Sequence, residues 1–124
     1  MNIVDSCGWL EYYADGPNAD FFAPALEDTS RLLVPVVCCY EVYKRLCLQR
    51  GEEDAVEAIS QMHNGLVVPL REHIAINAAK LSMQHHLPMA DSMILATARE
   101  YDATIWTQDA DFQGLDGVRY VERS

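Results

Sequence analysis

Short apolar runs alternate along the chain with stretches of helical pattern, and that alternation restricts the fold more than any other feature. The runs are Ile3-Val4, Leu32-Leu33-Val34, Leu66-Val67-Val68 and Thr104-Ile105-Trp106, with Val118 to Val121 as a candidate fifth. They are near-continuously apolar instead of alternating apolar with polar. Strands of that kind are buried on both faces, as in a parallel sheet covered by helices. The expectation is an α/β, doubly wound three-layer fold, with a four- to five-stranded parallel sheet flanked by helices.

The intervening segments carry helix start and stop signals. Cys7 to Tyr13 reads as one or two turns, broken by Asp15-Gly16-Pro17. A helix capped by Asn18 or Asp20 runs to about Leu26. Pro35 is placed as the first residue of a helix that ends before Gly51, because its missing N–H is an orphan at that position anyway. Glu52 to about His63 follows, stopped by Gly65. Glu72 to His86 puts Ile74, Ala78, Leu81 and His85 on one face. Pro88 starts a last helix that runs to about Tyr101.

At 124 residues the chain fits one domain, residues 1–124, and no linker, repeat or low-complexity stretch divides it. Half of its residues are apolar, enough for a core without disulfides or a structural metal. Nine Lys and Arg against nineteen Asp and Glu leave a net charge of −10. That excludes a basic nucleic-acid module of the ordinary kind, which carries a cationic footprint. Nucleic acid reached through metal ions is not excluded. Cys7, Cys38, Cys39 and Cys47 form no C-x-x-C pair, and three of them lie in an apolar helical stretch, so free thiols in a reducing compartment are expected. No apolar run approaches the ~18 residues of a membrane span, and the N-terminus lacks a signal-peptide pattern. A soluble, cytoplasmic protein with no membrane partner is the expectation.

Ligands of doubly wound sheets bind beyond the carboxyl ends of the strands. Asp5 ends the first run, and Asp109 and Asp111 follow the fourth. These carboxylates converge if strands one and four are neighbours. Glu41 lies in Val36-Val37-Cys38-Cys39-Tyr40-Glu41, the most apolar helix start in the chain, and Asp91 lies one turn into another apolar helix. Taken singly, each acid has an ordinary reading. Asp5 stops a strand, Glu41 pairs with Lys44 or Arg45, Asp91 complements a helix dipole, and Asp109 and Asp111 are turn residues. Those readings leave unexplained why all of them fall at strand ends or in apolar helix starts. Buried ionised carboxylates need compensating charge, and no Lys or Arg lies near Asp5, Asp91 or Asp109 in sequence. A hard divalent cation supplies such charge, and Mg²⁺ prefers carboxylates, water and phosphate oxygens. Two such ions about 4 Å apart suit phosphodiester hydrolysis. Lys44 and Arg45, three and four residues after Glu41, are placed to hold phosphates beside the metal.

With those residues in view, the chain resembles the PIN domain, and within it the VapC-like toxin ribonucleases of bacterial toxin–antitoxin pairs. The resemblance runs in order through Ile3-Val4-Asp5-Ser6, Val34-Pro35-Val36-Val37 with Tyr40-Glu41-Val42, Leu87-Pro88-Met89-Ala90-Asp91-Ser92, and Thr104-Ile105-Trp106-Thr107-Gln108-Asp109-Ala110-Asp111-Phe112. It implies a PIN-like fold and Mg²⁺- or Mn²⁺-dependent cleavage of RNA. It implies Asp5, Glu41, Asp91 and Asp109 as the acidic quartet, catalytic and metal-binding. By position Asp5 and Asp91 are the direct ligands, Glu41 and Asp109 bind the metal directly or through water with one of them orienting the attacking water, and Asp111 is a weaker candidate. Ser6 and Thr107 are placed to hydrogen-bond the carboxylates. A homodimer and a cognate antitoxin covering the site are also implied. The strong acidity is a departure, because it leaves few cations for RNA.

Other classes fit less well. A receiver domain needs paired acids after strand one and a late Lys, whereas the lysines here are Lys44 and Lys80. A haloacid-type phosphatase needs Asp-x-Asp where this chain has Asp5-Ser6-Cys7. His63, His73, His85 and His86 lack zinc-site spacing. A non-catalytic interaction module remains the alternative, and the full set of acids speaks against it. Trp9, Trp106, Tyr12, Tyr13, Tyr40 and Tyr43 are placed in packing before base stacking.

Overall fold

The first strand, β1 (Asn2–Val4), lies at the centre of the sheet. A computed structural model describes all residues, 1–124. After β1 come α1 (Ser6–Tyr13), α2 (Ala19–Glu27) and β2 (Leu32–Pro35). The chain continues through α3 (Val36–Gln49), α4 (Glu52–Met62) and β3 (Leu66–Val68). It then returns through α5 (Glu72–His85) and α6 (Met89–Glu100) to β4 (Thr104–Thr107) and β5 (Val118–Tyr120). Short 3-10 turns stand at Thr29–Arg31 and Ala110–Phe112.

All strand pairs are parallel, in the order β3-β2-β1-β4-β5. The chain therefore builds outward from β1 on one side, then crosses to build on the other. The reversal falls between β1 and β4, where Ile3 pairs with Ile105 and Val4 with Trp106. This switch point is where open α/β sheets form a ligand crevice. Neighbouring strands one and four were the condition for the acids to converge, and the topology meets it.

The apolar pattern explains the layering. Ile3, Val4, Leu32, Leu33, Val34 and Ile105 are fully buried, sealed by Phe22, Val42, Ile94, Leu95 and Phe112 from the helices and the last turn. On α5, Ile74 and Ala78 bury against Ala96 of α6, on the face that the spacing indicated. Gly8 is fixed by close approach. A Cβ there would lie 2.5 Å from Val4 Cγ1 and 2.6 Å from Phe22 Cε1, so only glycine lets α1 sit this tightly over β1 and α2.

Some boundaries differ from expectation. Pro35 and Pro88 are N-caps with extended backbone, not first helical residues, and the helices begin at Val36 and Met89. Pro35 instead prolongs β2 opposite Val68, past the last pair of β2 with β1, so its missing N–H breaks no central ladder. The third apolar run reads as a buried strand, yet β3 is an edge strand and Leu66 is 60% exposed. No helix is long and apolar enough to cross a membrane.

Candidate metal centre

Asp5 follows β1 and occupies the N-cap position of α1, yet its carboxylate caps nothing. It turns instead into the crevice between β1 and β4. Oδ2 accepts the Thr107 hydroxyl at 2.8 Å and the Cys7 thiol at 3.3 Å. Thr107 is itself fully buried at the end of β4, and its oxygen accepts the Asp109 N–H at 2.9 Å. Asp109 caps the 3-10 turn that follows, accepting the Asp111 N–H at 2.9 Å. One hydroxyl thus ties together the acids that end two adjacent strands.

Asp91 stands in the first turn of α6 and faces the same crevice. One carboxylate oxygen each from Asp5, Asp91 and Asp109 lie within 4.8 Å of one another. Glu41, on α3, lines the same cleft but lies outside that trio. The Ser6 hydroxyl donates to Glu41 Oε1 at 2.6 Å, so α1 and α3 are joined beside the cluster. The ordinary surface pair of Glu41 with Lys44 or Arg45 does not form. The ion pairs of the chain are Arg31–Asp28 and His73–Glu100, both remote. Asp111 is exposed and does not line the cleft; its N–H bonds Asp109.

The electrostatics follow from this geometry. Burial is the main cause that raises the Asp5 carboxyl to about 6, reinforced by Asp109 and Glu41 and opposed by its two hydrogen bonds. Asp91 is pushed up to about 8, again first by burial and then by the facing Asp5, Asp109, Glu41 and Asp111. Burial, then the Asp5 charge, lifts the Cys7 thiol to about 12, so it acts here as a neutral donor. Three hard oxygen donors converge without a paired cation. That donor set fits a divalent ion such as Mg²⁺ or Mn²⁺, and Asp5, Asp91 and Asp109 are the residues that would hold it.

Residues 3–118 match the PIN domain family, which is nearly the whole chain. The chain belongs to the PIN domain family. Solved PIN-like structures agree in fold. A chain of a toxin–antitoxin complex from Klebsiella pneumoniae superposes with a TM-score of 0.80 at 19% identity, covering 96% of each chain. VapC20 from Mycobacterium tuberculosis, described as a sarcin-ricin-loop-cleaving toxin, gives 0.80 at 15% identity, covering 95% of this chain and 97% of its own. A chain of DNA-bound VapBC from Salmonella typhimurium gives 0.74 at 14% identity, covering 98% of each. No curated protein matches the sequence.

The structure adds residues that sequence reasoning missed. Cys7 reads as a small apolar residue in a helix start, yet its thiol bonds the central carboxylate. Gln108 is buried between Thr107 and Asp109; its Oε1 accepts from Asn18 Nδ2 at 2.9 Å and its Nε2 donates to Glu11 Oε1 at 3.5 Å. This wall closes one side of a cleft of about 770 Å³. Its position between two site residues was the available signal. Arg123, from the C-terminal tail, also lines the cleft and carried no signal at all. Among the aromatics, Trp9 is buried on Tyr13, and Trp106 packs between Phe21 and Arg119. Tyr40 is the exception, exposed at the cleft.

Proposed function

We propose that this PIN-domain protein is an endoribonuclease that hydrolyses RNA phosphodiester bonds with Mg²⁺ or Mn²⁺, and that it is the toxin of a toxin–antitoxin pair. The observation that carries this reading is the convergence of Asp5, Asp91 and Asp109 with no cation to neutralise them. Family membership and the fold shared with toxins of such pairs support it. The metal, when bound, would lower the pKa of a bound water and neutralise charge on the phosphate and the leaving oxygen. Asp5, Asp91 and Asp109 would hold it. Thr107 and Cys7 fix the Asp5 carboxylate by occupying Oδ2. Glu41, held by Ser6 just outside the trio, orients the attacking water. An antitoxin is the expected protein partner, and a cytoplasmic homodimer the expected working state.

The test is incubation of purified protein with structured RNAs, with Mg²⁺ or Mn²⁺ and with chelator. Cleavage that stops in chelator and in Asp5→Asn is expected. Cleavage that survives both would overturn the reading.

A further inference from the structure

An asparagine at a helix N-cap usually turns its side chain back onto the free N–H groups of that helix. Asn18 stands at the N-cap of α2, and its side chain caps nothing. Nδ2 donates instead to Gln108 Oε1 at 2.9 Å and to the Glu122 main-chain carbonyl at 3.0 Å. Both amide hydrogens are thereby used. One side chain near the start of the chain holds two segments that lie 90 and 104 positions downstream.

The loop before α2 aims that amide. The Gly16 N–H bonds the Glu11 main-chain carbonyl at 3.0 Å, and the Asn18 N–H bonds Glu11 Oε2 at 2.8 Å. A Cβ on Gly16 would lie 2.5 Å from the Glu11 carboxyl carbon and would push that side chain off its partners. Glu11 Oε1 also accepts the Gln108 Nε2 in a long bond of 3.5 Å. The Gln108 amide is therefore engaged at both ends, and the residue is 4% exposed.

The position of Gln108 gives this clamp its consequence. β4 ends at Thr107, whose carbonyl accepts the Val121 N–H at 3.0 Å, and Gln108 is the single residue between that strand end and Asp109. Two side-chain anchors fix the step: the Asp109 N–H on Thr107 Oγ1, and the Gln108 amide on Asn18. Asn18 itself bonds none of the three acids and does not line the cleft. We infer that Asn18 is a positioning residue of the candidate metal centre: it clamps Gln108 to the segment after β5 and so keeps Asp109 within reach of Asp5 and Asp91. This rests on the proposed metal-dependent reading for what the trio binds.

The test is Mn²⁺ titration of the full chain, with the free aqua ion followed by EPR. Amide ¹⁵N relaxation in chelator and urea denaturation run beside it. Asn18→Ala and Gln108→Ala leave the net charge alone, so a change in affinity reports geometry. Each is expected to weaken Mn²⁺ binding roughly tenfold. The double variant should lose little more than Asn18→Ala, because both substitutions break the same bond. In chelator the Asp109 amide should become more mobile in both single variants. The Arg123 amide should do so in Asn18→Ala alone, because Gln108→Ala leaves the Glu122 bond in place. Ser82→Ala, which removes a 2.7 Å bond to the Leu87 carbonyl at the end of α5, is the control. It should lower the urea midpoint by a similar amount and leave Mn²⁺ binding native. Native Mn²⁺ affinity in Asn18→Ala, or losses that add in the double variant, would overturn the clamp. Should Asn18→Ala not fold, native affinity in Gln108→Ala would overturn it equally. A native chain that takes up no Mn²⁺, with Asp109 still loosened in Asn18→Ala, would instead overturn the metal reading and leave the clamp standing.

Discussion

The Thr107 hydroxyl donates to Asp5 Oδ2 at 2.8 Å across 102 positions of sequence, and the same oxygen accepts the Asp109 N–H. It fixes two acids of the candidate metal centre relative to each other at the point where the sheet changes direction. Thr107→Val keeps the shape and removes both bonds. The Asp109 N–H and one Asp5 bond are then unsatisfied, at a cost of about 1–3 kcal/mol. Loss of such a supporting contact typically lowers activity or metal affinity roughly 10–100-fold. Urea denaturation and RNA cleavage should show both effects, and Thr107→Ser should restore most of each. A Thr107→Val protein with native activity would remove this contact from the site.

The raised carboxyls give the metal-free protein a distinctive pH dependence. Asp5 rises from 3.8 to about 6 and Asp91 from 3.8 to about 8. The folded state therefore holds protons that the unfolded chain has already released. Stability is greatest below the unfolded value and falls as pH rises through that window, to about 6 for Asp5 and on to about 8 for Asp91. The raised Asp5 carboxyl alone corresponds to about 3 kcal/mol. Asp91 is partly open to solvent, so screening by water makes its contribution smaller than its higher pKa suggests. Because the Asp5 charge raises Asp91, their proton release is coupled. Denaturation in chelator at pH 5 and pH 8.5 should show a loss of at least about 1 kcal/mol between them, the part of the Asp5 window above pH 5, with Asp91 adding to it. A flat or rising profile would mean that the carboxylates are compensated after all.

The layered fold was readable because the physics behind it is local. Runs such as Leu32-Leu33-Val34 are too short and too apolar to be anything but buried strands, Gly51 breaks the chain between helices at a positive φ, and Gly65 stops a helix where the Leu32 carbonyl approaches closely. Asp5 and Asp109 were readable for the same reason, since each directly follows such a run. Edge position was not: Leu66-Val67-Val68 has the composition of a central strand, and only pairing reveals that β3 has one neighbour. The inner division of the acids was not readable either. Asp91 joins Asp5 and Asp109, while Glu41 stands outside, because Ser6 claims Oε1 from a helix that spacing alone places nowhere. Cys7, Gln108 and Arg123 depend wholly on contacts between distant segments. A thiol in a helix start or an Arg near a terminus has the same local pattern whether or not it faces a cleft.

Asp91→Asn separates stability from function. The substitution keeps the side-chain shape and removes the carboxyl that burial and its neighbours push up further than that of Asp5. In chelator at pH 8.5 the variant has no charge to hold against Asp5 and Asp109, so it should be more stable than the native chain by about 1–2 kcal/mol, raising Tm by roughly 5 °C. Divalent ion reverses the order. If it binds the folded trio alone, millimolar Mg²⁺ or Mn²⁺ should raise the native Tm with concentration, while the variant, one ligand short, should respond weakly. Cleavage should fall by more than the roughly 10–100-fold expected for a supporting residue. The two melting curves should therefore cross as metal is added. A variant less stable in chelator, with a native metal response, would place Asp91 outside the ion's reach and leave Asp5 and Asp109 without their third donor.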